Sequence, residues 1–356
     1  MTQAPEQAPS RVWRAAASLG TFVITTALVL WAMDGLHRPQ DPRLDAKIDT
    51  FLENKDDYTV LFFGSSTFYR GIIPERFDAE LSKRGFDSNS LNLGLPAMRA
   101  HETNEFLRRM LENRPQRLRW VVVELNEWLQ PRRNFFAQRE IAWHDFPETL
   151  SVIRTHWMTR GPLSARLRQA RQDAMMFGAR TTALGVGAER VKKTFNNATQ
   201  PRSAENPYDL AVARWRGFSP YSDELIPDRN DSGRRRFLRN LARYERDVAA
   251  LPQRNARPAR IGRYNRAALQ RQIDFVEESG YEIVHVISPI ATARPILHRI
   301  VDAGDVAHPL AFDSPVEYPE LYEMESRFNG GHLSSSGAEL FTSSLAERFA
   351  DLLAED

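Results

Sequence analysis

Tyr58-Thr-Val-Leu-Phe-Phe-Gly-Ser-Ser-Thr-Phe-Tyr-Arg-Gly71 reads as a buried strand that runs straight into a Gly-Ser-Ser turn. The apolar run 60–63 has no alternation, which predicts a parallel strand covered on both faces rather than one half exposed to water. In open α/β sheets the carboxyl ends of strands are where ligands and chemistry collect. Ser66 therefore sits where a nucleophile would be useful, with Gly64 easing the turn that presents it. The plainer alternative is an ordinary strand-to-helix loop capped by serine.

A second block, Arg327-Phe-Asn-Gly-Gly-His-Leu-Ser-Ser-Ser-Gly-Ala338, places His332 just ahead of a helix start. Ser336 and Glu339 have capping-box spacing, and Phe341, Leu345, Phe349, Leu352 and Leu353 recur at helical intervals. A serine hydroxyl is a weak nucleophile at neutral pH and needs a base to take its proton. Of the eight histidines, His332 is the candidate base. His101, His144, His156 and His285 read as packing or surface residues.

Between these blocks the pattern alternates strand and helix. Helix 44–55 leads into the first strand, a helix follows Pro74 and stops at Gly85, and 90–93 forms a short strand. Helix 102–113 and strand 120–125 come next. From about 127 to 261 the chain changes to Arg-rich helical segments, with helices expected at 164–177 and 233–251. The aperiodic stretch 201–231, carrying Trp215, Phe218 and Tyr221, reads as a long loop: a lid, a binding surface, or an excursion packed on its own aromatics. The alternating pattern resumes with helix 263–278, strand 281–287 and a helix near 294–301.

Composition narrows the function class. The net charge is +2, the apolar share is 42%, and the basic residues are interleaved with acidic ones, which argues against a nucleic-acid partner. With no cysteine, thiolate catalysis and thiolate metal sites are excluded. No metal or phosphate-binding motif is present, so no cofactor is expected. Residues 15–33 are almost uncharged, follow Arg11 and Arg14, and precede Asp34. This predicts a cytoplasmic tail at 1–14, a transmembrane signal anchor at 15–33, a linker at 34–43 and an exported domain at 44–356. A cleaved signal peptide is the competing reading.

The ordered blocks resemble the SGNH (GDSL-type) hydrolase superfamily over roughly 56–128 and 262–353. Gly64-Ser65-Ser66 stands at its Gly-Asp-Ser block and Asn329-Gly330-Gly331-His332 at its Asp-x-x-His block. Asn92-Leu-Gly94 and Glu124-Leu-Asn126 stand at the two blocks between. The resemblance implies a three-layer α/β/α fold around a parallel sheet, here with a large helical insertion. It also implies Ser66 as nucleophile and His332 as base, with Asn329 at the third position of the triad. Gly94 and Asn126 would join the Ser66 N–H in an oxyanion hole.

Two departures stand out. Asn329 replaces an Asp and carries no charge, with Asp313 as a substitute carboxylate from the preceding loop, and Glu124 replaces the Gly of a Gly-x-Asn block. Together with the anchor, the chain is similar to periplasmic proteins that O-acetylate bacterial exopolysaccharides or take part in D-alanylation of teichoic acid. The implied partners are an acylated glycan, a membrane-bound O-acyltransferase and the inner membrane. A plain esterase is the nearest alternative. A non-catalytic polysaccharide-binding or assembly subunit, which Asn329 favours, is the other.

Overall fold

The computed structural model describes residues 17–22, 25, 42–128, 141, 143–158, 162–182, 207–221 and 231–355. Most of the expected anchor 15–33 lies outside the described residues. Among those described, no helix is long and apolar enough to cross a membrane.

Five strands form one parallel sheet: β1 (Val60–Phe63), β2 (Ser90–Asn92), β3 (Trp120–Glu124), β4 (Glu282–Ile287) and β5 (Pro309–Ala311), in spatial order β2-β1-β3-β4-β5. The unbroken apolar run of β1 is fully buried. Its alternate residues feed two cores. Leu61 and Phe63 join Phe51, Phe106, Leu107 and Leu269 on one face, while Val60 and Phe62 join Phe77, Phe341 and Phe349 on the other. Phe62 meets Phe77 edge-on at 5.0 Å and Phe68 at 6.4 Å. Burying each such ring contributes about 2–3 kcal/mol. Helices Pro42–Asn54, Ala100–Leu111 and Arg263–Glu278 cover the first face, and Pro74–Lys83 and Ser335–Glu355 cover the second.

The chain leaves β2, passes over β1 and enters β3, so the strand order reverses between β1 and β3. Ligand sites of doubly wound sheets form at such a switch point, outside the strand carboxyl ends. Gly64-Ser65-Ser66 lies at one side of it and Glu124 at the other. Gly64 is required here by proximity rather than by backbone angle. A Cβ would stand 2.6 Å from the Phe68 ring and 2.9 Å from the Glu124 Cβ.

Several local expectations need correcting. The terminal helix starts at Ser335, and Ser334 is its cap: the Ser334 Oγ accepts from Gly337 N–H at 3.2 Å. Ser336 instead donates its hydroxyl to the Glu325 carbonyl, so the Ser336–Glu339 capping box is not formed. The single helix expected over 233–251 is three: Asp231–Leu238, Leu241–Ala249 and Leu251–Asn255. Asn240 leaves the helical region, with φ −126°, and Pro252 is accommodated only as an early position of a new helix. Helix Pro207–Trp215 lies inside the stretch expected to be loop, and 201–206 and 222–230 fall outside the described residues.

Candidate functional site

Ser65 ends the turn after β1 in extended conformation, with φ −83° and ψ −161°, and caps the short helix Ser66–Tyr69. Ser66 thus opens a helix with its side chain free to face the switch point. From the other end of the sequence, strands β6 (Arg327–Asn329) and β7 (His332–Leu333) form a small antiparallel hairpin. Its turn brings His332 back over the first. His332 Nε2 lies 2.8 Å from Ser66 Oγ, and His332 Nδ1 lies 3.0 Å from Asn329 Oδ1.

These contacts determine which ring nitrogen carries the proton. The Gly331 N–H donates to Asn329 Oδ1 at 2.8 Å, which identifies the atom facing His332 as the amide oxygen. An oxygen in that position can only accept, so Nδ1 carries the hydrogen and Nε2 presents its lone pair to the serine hydroxyl. Asn329 therefore sets the tautomer a general base needs, without supplying charge.

The surroundings oppose protonation of the ring. Burial pushes the His332 imidazole down to about 4, Arg327 and Arg70 push the same way, and Glu124 pulls it back. Arg327 is wholly buried and donates to four main-chain carbonyls, those of Pro289, Leu321, Asn329 and Gly330. It ties the hairpin to the loop after β4. Arg70 donates to Ser219 and to the Pro220 carbonyl, with its guanidinium 4.3 Å over the Tyr221 ring. Tyr221 stacks on Phe328 at 3.6 Å and meets His332 edge-on at 5.9 Å. The stretch around Tyr221 thus reaches from the insertion onto the histidine.

Glu124 is the residue that sequence reading marked only as a departure. Its carboxylate is buried at the carboxyl end of β3, beneath the Gly64-Ser65-Ser66 turn. One oxygen accepts from the Ser65 N–H at 2.6 Å, and the other from the hydroxyls of Thr67 and Ser288. A glycine there could make none of these contacts. Arg70 and Arg327 gave no sequence signal, because their roles depend on contacts with segments distant in the chain, and Tyr221 was marked only as one aromatic of the long stretch 201–231.

The two oxyanion candidates are placed differently from the triad. Gly94 packs against the helix that carries Ser66, where a Cβ would lie 2.8 Å from the Tyr69 nitrogen. Its own N–H donates to Asn92 Oδ1 at 2.9 Å. The Asn92 amide nitrogen in turn binds the carbonyls of Phe68 and Ile72, so Asn92 clamps the Gly94 loop to the Ser66 helix. Asn126 stands two residues after the end of β3 and is half-buried, with no hydrogen bond to another described residue.

Asp313 does not reach the triad as a substitute carboxylate. It is buried against His298 Nε2 at 2.9 Å and Asn255 at 3.1 Å. His298 is held above its usual value by that bond.

His101 and His285 pack. His101 lies between the rings of Trp128, Trp143 and Tyr264 and bonds Glu148, and His285 is enclosed in β4, pushed down to about 3 by burial. Among the described residues no group of three or more His, Cys, Asp or Glu could hold a metal ion. A groove of about 390 Å³ runs beside the Asn329–Gly330 turn, lined by Arg236, Asn240, Arg243 and Tyr244 among others. No protein-family model, curated protein or solved structure matches this chain.

Proposed function

We propose that this protein is an SGNH-like O-acyltransferase or esterase that works through an acyl-Ser66 intermediate. The observation that carries the reading is the continuous chain Ser66 Oγ, His332 Nε2, His332 Nδ1, Asn329 Oδ1, with links of 2.8 and 3.0 Å at the switch point of the sheet. In the first step the Ser66 proton passes to His332 Nε2 as Oγ bonds to the acyl carbon. The leaving alcohol then takes that proton as the old ester bond breaks. In the second step water or an acceptor hydroxyl repeats the sequence in reverse, releasing the acyl group. The Ser66 N–H is the nearest main-chain donor for the oxyanion, with Asn126 as a side-chain donor.

The substrate class rests on the Arg-flanked apolar run before residue 34 and the large insertion. We read these as the anchor and glycan-facing part of an exported enzyme acting on an acylated polysaccharide beside a membrane-bound acyl donor. Full-chain protein in detergent should hydrolyse p-nitrophenyl acetate, and Ser66→Ala should abolish the reaction while leaving the unfolding transition in place. Equal rates in the two proteins would remove Ser66 from the chemistry.

A second reading, a glycan-binding subunit without activity, is favoured by two observations: Asn329 brings no charge, and the Gly94 N–H is already bonded to Asn92. Binding of acetylated polysaccharide with no turnover in either protein would support it.

A further inference from the structure

We propose that Glu124 supplies the negative charge that Asn329 lacks, so that the two tasks one aspartate performs in a serine triad are divided here between two residues. Asn329 fixes the tautomer from the Nδ1 side, and Glu124 stabilises the imidazolium from beneath the nucleophile turn. The inference rests on the acyl-transfer reading of Ser66 and His332.

Three observations lead to it. Glu124 is a buried carboxylate at the end of a central strand, and among the described residues it forms no ion pair. Leaving a carboxylate buried without a cation is costly, and three neutral donors offset only part of that. Those donors, the Ser65 N–H and the Thr67 and Ser288 hydroxyls, approach both oxygens. Two of the three belong to residues flanking Ser66 in the chain. The missing cation therefore has a natural identity: the imidazolium that forms on His332, one hydrogen bond beyond Ser66, when the serine is deprotonated.

The remaining charged groups facing His332 are Arg327 on its own hairpin and Arg70 behind the Ser66 helix, both cations, while Tyr221 from the insertion contributes a ring edge. Against two cations, Glu124 is, among the described residues, the charged group that favours the charged ring. Acting through the turn and at a distance, it is a positioning residue rather than a catalytic one.

The test follows His332 itself. In full-chain protein labelled at histidine Cε1, its signal is assigned by loss in His332→Gln and titrated by NMR. Glu124→Gln keeps the shape and removes the charge, and should lower the His332 midpoint by about one unit. In the same variant p-nitrophenyl acetate turnover should fall about threefold with KM unchanged. Adding Asn329→Asp to Glu124→Gln should bring both back up. Thr67→Val removes one donor and keeps the carboxylate, and should leave the midpoint where it is.

A midpoint that does not move in Glu124→Gln overturns the proposal. So does Thr67→Val moving it as far, since the effect would then come from the turn alone. Should Glu124→Gln not fold, Glu124→Asp, which keeps the charge and withdraws it by one methylene, replaces it; a partial fall in midpoint supports the proposal and no fall overturns it. Because the titration needs no turnover, loss of this coupling in a protein whose Ser66→Ala variant is inactive leaves the acyl-transfer reading standing. Coupling in a protein with no Ser66-dependent activity would mean the reverse.

Discussion

Replacing Asn329 by Asp changes almost no volume and places a charge where an amide oxygen now stands, 3.0 Å from His332 Nδ1. The Gly331 N–H that holds this oxygen would hold a carboxylate equally well. With charge centres about 4 Å apart and an effective dielectric near 20, the attraction for an imidazolium is about 4 kcal/mol. That is worth about three pKa units. Arg327 takes part of it, since its Nε already donates to the main-chain carbonyl of the same residue. A net rise of about two units then moves His332 from about 4 to about 6.

The base must be neutral to act, so activity is lost as pH falls through the His332 value. The acid limb of kcat/KM for p-nitrophenyl acetate should therefore move from near pH 4 in the parent to about pH 6 in the variant. On the plateau above pH 7 both rings are neutral, and the stronger base should be faster. If about half of the added basicity appears in the barrier, the gain is about tenfold. A limb that stays in place together with an unchanged plateau would refute the reasoning, because it would mean that position 329 does not govern His332.

Asp313→Asn should lower the melting temperature by breaking the His298 and Asn255 bonds, yet leave the acid limb unmoved; a shifted limb would show that Asp313 does act on the triad. In Asp173, burial alone would raise the carboxyl, but bonds from His144 and His156 outweigh it and hold the group below its ordinary value. Its folded-state value is depressed, so its contribution to stability is present above about pH 4 and disappears as pH falls further. Asp173→Asn should accordingly destabilise the protein at neutral pH, with the two denaturation curves converging as the pH falls through the depressed folded-state value, and parallel curves at all pH would contradict this. Phe349→Ala empties a site between Phe77 and Trp120, with ring centroids at 5.4 and 5.3 Å, and should cost about 3–5 kcal/mol in urea unfolding.

How much of this was legible in the sequence varies with the range of the forces involved. The parallel strands announced themselves, because a strand covered on both faces must be apolar at every position, as 60–63 and 120–123 are. The residues of the proposed triad were legible as short blocks in order, with a serine after a strand and a histidine before a helix. What lay hidden was set by contacts between distant segments. Strand Pro309–Ala311 is three residues long and begins with proline, so neither length nor period marks it. The hairpin Arg327–Leu333 depends on Arg327 collecting carbonyls from two other loops. Glu124 looked like a defect in a motif until the Ser65 and Thr67 donors stood around it. The cap of the final helix was misjudged by two residues because three consecutive serines are equally able to fill that role, and the Gly337 N–H, which donates to Ser334, decides between them.

The insertion also finishes the border of the sheet. Strand β2 lies at one rim, where outward-pointing N–H and C=O groups could recruit a strand from another molecule. Here the Ser90 N–H is taken by Asp78 at 3.0 Å and the Asn92 N–H by the Arg216 carbonyl at 3.0 Å. The Asn92 carbonyl is taken by the buried ammonium of Lys47 at 2.6 Å, which also binds the carbonyls of Gly94 and Gly217. Gly217 has φ +88° and a Cβ there would fall 2.0 Å from the Asn92 oxygen, so no other residue fits this seal without shifting it. Arg216 locks the seal by pairing with Asp78 at 2.7 Å. A shortened chain lacking 207–221 would leave β2 open to self-association through that strand, besides taking Tyr221 away from His332.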